Sequence, residues 1–189
     1  MRIIGIDPGS LHCGVAIIDD DGHKLHLRMA KTLHFPARAN LSLRLLELAE
    51  KLDEIFKIWQ PQELALEKIF FHKSFSATLV LGEARGVIIV CAAQNKCQLF
   101  EYAPNLVKNT VVGQGKASKE QVQMMMQHLF SLPPQEAFDT TDALALAFTH
   151  AQMLQRRKLG VLPTQTMPKQ HSSKKNRQAW ADFVNRSGI

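Results

Sequence analysis

Cysteine is scarce in this 189-residue sequence: Cys13, Cys91 and Cys97 are an odd set with no CxxC spacing. That excludes a disulfide framework and a thiolate zinc site, and suits a reducing cytoplasm. Histidine occurs eight times but never as HExxH or HxxxH, so each reads as a surface or core residue rather than a metal ligand. No apolar run is expected to reach the ~20 residues of a membrane helix, and the opening residues read as a strand rather than a signal peptide. Internal repeats are absent. The glycine-rich stretch Gly113-Gln114-Gly115-Lys116 lacks GxxxxGK[ST] spacing and a preceding strand, so it is not a nucleotide-binding P-loop.

What remains is an ordinary globular composition, 46% hydrophobic and 21% charged, enough for one domain with a proper core. The net charge of +6 is not spread evenly. From Arg156 onward eight basic residues face only Asp182, which leaves 15 basic and 16 acidic residues before that point. The expected division is therefore a near-neutral folded domain over 1–158 and a basic, disordered tail over 159–189. Such a tail suits a polyanion or serves only solubility; Trp180 and Phe183 could dock within it.

The β-branched run Ile3, Ile4 and Ile6 predicts a buried strand that stops at Asp7-Pro8-Gly9-Ser10, a tight turn. Gly14 falls where the returning strand, Val15 to Asp19, needs close backbone approach. Asp19-Asp20-Asp21-Gly22 reads as a solvated hairpin turn, lacking the spacing of a calcium loop. Lys24 to Thr32 completes an antiparallel meander.

Leu41, Leu45, Leu48, Leu52, Ile55 and Trp59 then recur at helical spacing over 40–59, with Asn40 as N-cap and Pro61 beyond the end. Glu63 to Phe70 predicts a strand, and Ser74 or Ser76 caps a long helix reaching about Asn95. Gly82 and Gly86 in that helix require a second backbone nearby or a subunit interface. A strand at Gln98 to Tyr102 follows, then a short helix from Pro104, a helix from Ser118, and a last helix from Asp139 to about Lys158. Strands joined by crossover helices predict an α/β fold: a five-stranded mixed sheet, three strands antiparallel and two parallel, with helices on both faces.

Asp7 and Glu67 sit at strand positions, and Asp139 and Asp142 are three apart on one helix. Turn or helix capping accounts for any one of them. An acid at the outlet of each of two strands calls for something positive between them, because close carboxylates repel. Oxygen-only ligands select Mg²⁺ or Mn²⁺, and two such ions ~4 Å apart suit phosphodiester hydrolysis.

The stretches GIDPGS with Gly14, LEKIF at Leu66 to Phe70, LGEARG at Leu81 to Gly86, VVGQG with Lys116 and Lys119, and DTTDALALAFTH at Asp139 to His150 together resemble the RuvC family. These are bacterial Holliday-junction resolvases of the RNase H-like superfamily. The resemblance spans roughly residues 1 to 155. It implies a homodimer that cuts four-way DNA junctions by paired, symmetric, Mg²⁺-dependent nicking in recombination and repair, leaving 5′-phosphate and 3′-hydroxyl ends. It implies that Asp7, Glu67, Asp139 and Asp142 are the metal-binding acids. Phe70 would contact the junction, although Phe71 and Phe75 compete for that place. Lys108 and Lys119 would face the DNA backbone, with Lys116 beside them in the glycine loop. RuvA and RuvB are the implied partner proteins. Two other functions fit parts of the sequence: a non-catalytic scaffold for branched DNA, and an actin-like ATPase fragment with the same Gly-Ile-Asp opening.

Overall fold

The computed structural model describes residues 1–68, 75–134 and 136–161. Ten elements follow in the order β1 (Arg2–Asp7), β2 (His12–Asp20), β3 (Leu25–His34), α1 (Leu41–Trp59), β4 (Glu63–Glu67), α2 (Phe75–Gln94), β5 (Gln98–Tyr102), α3 (Pro104–Val112), α4 (Lys119–Phe130) and α5 (Phe138–Lys158). The sheet order is β3-β2-β1-β4-β5. β1 pairs antiparallel with β2 and parallel with β4, and β4 pairs parallel with β5. The mixed five-stranded sheet expected from the element order is therefore present.

Strand alternation sends β1 side chains to two different cores. Ile4 and Ile6 join Leu52, Phe56 and Ile88 under α1 and α2, while Ile3 joins Ala143, Ala147 and Met126 under α5, α3 and α4. Each fully buried Leu, Ile or Phe contributes about 1.5–3 kcal/mol. α5 lies unusually close to the sheet because the contacting residues are small. A Cβ on Gly5 would stand 2.0 Å from the Ala143 carbonyl oxygen, and one on Gly14 would stand 1.8 Å from that of Asp139. The close approach expected at Gly14 is thus made by the first turn of α5.

Four local expectations are corrected. Asn40 occupies the N-cap position of α1, but its side chain makes no capping hydrogen bond. The 19–22 turn is braced rather than merely solvated: Asp19 pairs with Arg2 and Arg28, and the Asp20 and Asp21 carboxylates accept from Gly22, His23 and Lys24 backbone N–H groups. Ser76 lies inside the first turn of α2 rather than ahead of it, and Ser74 is outside the described residues. α2 does have the length and composition of a membrane-crossing helix, with a mean hydropathy of 1.6. Only one side of it is buried, by Ala84, Ile88, Cys91 and Ala92. On its other side Phe75, Leu79 and Val90 are exposed, and among the described residues nothing lies within 4 Å of a Cβ placed on Gly82 or Gly86.

The strand predicted to run to Phe70 ends at Glu67. Phe70 and Phe71 lie outside the described residues, as does the tail from 162 onward with Trp180 and Phe183. All three cysteines are buried and free.

Candidate active site

The parallel register matches Ile3 with Glu63, Gly5 with Ala65 and Ile6 with Leu66. One step further brings Asp7 and Glu67 to the carboxyl ends of two neighbouring strands, on the face that α5 covers. In the antiparallel pair Asp7 is opposite Gly14. Because Gly14 has no side chain, the first turn of α5 settles against it and carries Asp139 and Asp142 toward Asp7. A second contact holds that turn: the Thr140 hydroxyl, fully buried, hydrogen-bonds the Thr32 hydroxyl of β3 at 2.8 Å.

Asp7, Glu67 and Asp142 line one cleft of ≈ 360 Å³ together with Lys68, Lys108 and Lys119. Asp139 opens instead onto an adjoining groove beside Ser10, His12 and Ser76. Three residues along a helix turn the side chain by about 300°, so the two aspartates share a side of α5 without pointing into the same space. Asp139 nevertheless lies within electrostatic reach of Asp7.

The Asp7 carboxyl is pushed up to about 8, first by loss of surrounding water, then by repulsion from Asp142 and Glu67. Lys119 pulls the other way, and Asp139 adds to the rise. The Lys119 ammonium donates to Asp142 Oδ2 at 3.0 Å. Its own pKa is raised, the pull of Asp142, Asp7 and Glu67 outweighing desolvation. As the side chains stand, no three acidic, histidine or cysteine groups among the described residues are close enough to share an ion. The donor set nevertheless suits a hard divalent cation: it is all oxygen, and a cation would relieve the repulsion that raises the Asp7 pKa.

Lys108, half-buried on α3, faces the cleft, and Lys119 enters it from the first position of α4, where Ser118 and Gln121 form a capping box. Lys116 is exposed in the turn between those helices and does not reach the cleft. Phe70 falls outside the described residues.

Several supporting residues escaped the reading of the sequence. Arg85 of α2 donates to the Glu67 carbonyl oxygen at 2.6 Å and pairs with Glu101. It fixes the strand end from which Glu67 projects; the LGEARG stretch drew attention to it without assigning that role. Thr32 and Thr140, in contact 108 residues apart, left no local signal. Cys13, beside Asp7, is inert, its thiol pushed up to about 12 by burial and then by that carboxylate.

Comparison with known proteins places these features in context. The family model described as "Crossover junction endodeoxyribonuclease RuvC" matches residues 3–150. A crossover junction endodeoxyribonuclease RuvC of Bartonella henselae is 43% identical over 151 residues, covering 80% of this chain and 89% of that protein. The Thermus thermophilus RuvC structure in complex with Holliday junction substrate superposes with a TM-score of 0.77 at 27% identity, covering 83% of this chain and 96% of that one. A second Thermus thermophilus RuvC structure gives a TM-score of 0.72, also at 27% identity, over 85% and 97% of the two chains. The residues that carry the Asp-Pro-Gly turn, the Glu67 strand end and the acidic first turns of α5 all lie inside the matched span, and the chain belongs to the crossover junction endodeoxyribonuclease RuvC family.

Proposed function

We propose that this protein resolves four-way DNA junctions by metal-dependent hydrolysis of two symmetric phosphodiester bonds, in DNA recombination and repair. The single observation that carries this reading is the meeting of Asp7, Glu67 and Asp142 in one cleft with Lys68, Lys108 and Lys119 beside them. That combination would bind a hard cation and a phosphate at the same place. The family relation, and a relative seen with Holliday junction substrate, set the class of DNA.

In this reading Asp7, Glu67, Asp142 and Asp139 hold Mg²⁺ or, in its place, Mn²⁺. Once bound, the ion supplies water activation and neutralises charge on the phosphate. Asp7 would give up its proton as a cation enters, because the cation would offset first the desolvation and then the repulsion that raise its pKa. Lys119 moves from Asp142 to a phosphate oxygen of the DNA, and Lys108 holds a neighbouring phosphate, each as a positional contact without base specificity. Phe70 follows Glu67 by three residues and is proposed to stack on a base near the junction centre. Lys116, exposed and away from the cleft, serves at most as an outer backbone contact.

Two strands related by a two-fold axis call for two such clefts, and a homodimer supplies them. The open side of α2 suits that role, with Phe75, Leu79 and Val90 exposed and with Gly82 and Gly86 leaving room for a partner backbone. Cleavage would leave 5′-phosphate and 3′-hydroxyl ends. Residues 1–158 would act as the nuclease unit and 159–189 as a basic tail, with RuvA and RuvB as partners in the bacterial cytoplasm.

The test is nicking of a synthetic four-way junction in Mg²⁺. Asp7→Asn is expected to lose about 10³-fold or more, several kcal/mol of barrier, while still binding the junction. Equal cutting by both proteins would remove the assignment.

A further inference from the structure

α5 carries a second polar group about two turns beyond Asp142, buried against the sheet, and one of its members, Tyr102, is the register neighbour of Glu67 on β5. His150 has no solvent exposure, and its ring reaches two other elements. Nδ1 lies 2.5 Å from the Tyr102 hydroxyl at the end of β5, and Nε2 lies 2.5 Å from Glu63 Oε2 at the start of β4. A carboxylate only accepts, so Nε2 carries the hydrogen, and in the neutral ring Nδ1 accepts from the Tyr102 hydroxyl. Burial holds the Tyr102 hydroxyl in its protonated form. The Phe100 ring lies tilted against His150 with centroids 4.5 Å apart, and the Arg157 guanidinium covers Phe100 at 6.0 Å. Three side chains from three elements are thus fully engaged with one another.

The seam between α5 and the sheet explains what such a group is for. Gly5, Ala65, Ala143, Ala147 and Ala151 keep its middle shallow, and toward the first turn of α5 the Thr32–Thr140 hydrogen bond is a polar tie of the same kind. Small residues allow close approach but give no interlocking knobs that resist lengthwise sliding. Directional hydrogen bonds at His150 do resist it. His150 follows Asp142 by eight residues, about 12 Å along a rigid helix. It therefore cannot touch DNA in the cleft, yet any slip of α5 at His150 is transmitted to both aspartates.

We propose that His150, bridging Glu63 and Tyr102, is a positioning residue that sets where α5 rests along the sheet and so where Asp139 and Asp142 stand relative to Asp7 and Glu67. This rests on the nuclease reading above for the meaning of that placement, but not for the placement itself.

The test uses the full-length protein with His150→Phe, His150→Gln, Glu63→Leu and Tyr102→Phe. Three quantities are measured: Mn²⁺ affinity without DNA by electron paramagnetic resonance, junction affinity in EDTA, and single-turnover nicking. His150→Phe is expected to lower Mn²⁺ affinity and nicking by about tenfold or more, with junction affinity changed less than about twofold. His150→Gln keeps a donor toward Glu63 and recovers most of the loss. Glu63→Leu matches His150→Phe, and the double variant adds little to either. Unchanged Mn²⁺ affinity and nicking in a folded His150→Phe protein would overturn the proposal. If that variant does not fold, Glu63→Leu and Tyr102→Phe carry the same criteria, and wild-type values in both would overturn it equally. Failure of the wild type to nick would instead end the nuclease reading, while the Mn²⁺ measurement still decides the positioning role.

Discussion

Two stretches of α5, about two turns apart, present the same sheet face with opposite electrostatic outcomes. Near its C-terminal half, one carboxylate, Glu63, meets His150, which in turn meets Tyr102. Near its N-terminus, Asp142, Asp7 and Glu67 gather with Asp139 close by, and Lys68, Lys108 and Lys119 line the same cleft. The first stretch is what a stable buried polar network requires, with each member satisfied. The second is what a fold alone would avoid, since its acids raise one another's pKa values. That difference locates the chemistry: the stretch where carboxylates crowd one another and raise the Asp7 pKa is the one built to receive a cation.

The comparison breaks most completely if the seam between α5 and the sheet is disturbed. Gly14→Val would drive a side chain into the Asp139 carbonyl, which a Cβ alone would approach to 1.8 Å. The expected cost is about 3 kcal/mol or more, with nicking reduced about 10²-fold. Calorimetry and junction cleavage check this, and a silent substitution would mean that α5 does not rest on Gly14.

The crowding of the acids is tested by Asp7→Asn in metal-free protein. Asp7 has a folded pKa of about 8 against an ordinary 3.8. An acid with a raised folded pKa contributes stability below its unfolded pKa and loses it as pH rises through the folded one. Wild type should therefore lose stability relative to Asp7→Asn between pH about 4 and 8. At pH 8 the variant is expected to be more stable by about 1–3 kcal/mol, raising Tm by about 2–8 °C. Melting curves across that range provide the check, and a constant gap would contradict the burial and repulsion at Asp7.

A smaller effect should come from the support of Glu67. Arg85→Met removes the donor to the Glu67 carbonyl oxygen. The expected loss is about 1–2 kcal/mol of stability. Nicking should fall by more than junction affinity does, separable by single-turnover rates against binding isotherms.

Much of this was legible in the sequence because the signals were local. The Asp-Pro-Gly turn, the acid interrupting the apolar run at Glu67, and the spacing of Asp139 and Asp142 each follow from rules acting over a few residues. Crossover helices then dictated the mixed sheet. What stayed hidden depends on contacts across the chain. His150 falls in an apolar helical pattern and reads as one more core position until Glu63 and Tyr102, 87 and 48 residues away, are placed beside it. Asp139 was expected in the same cavity as Asp142, and the angular offset along α5 separates them. Lys116 was grouped with Lys108 and Lys119 by proximity in sequence, yet the glycine turn points it to solvent. At Gly82 and Gly86 the pattern signalled close packing by another backbone or a subunit interface, and no element among the described residues packs there.

The central claim is that the acidic end of α5 and the neighbouring strand ends form a single cation site. Mn²⁺ titration of the full-length protein between pH 6 and 9, with proton release followed in parallel, tests it most directly. Saturable binding is expected to tighten as pH rises through about 8, to release a proton below that pH, and to weaken at least about tenfold in Asp7→Asn. Equal affinity in wild type and Asp7→Asn, with no proton released, would contradict it.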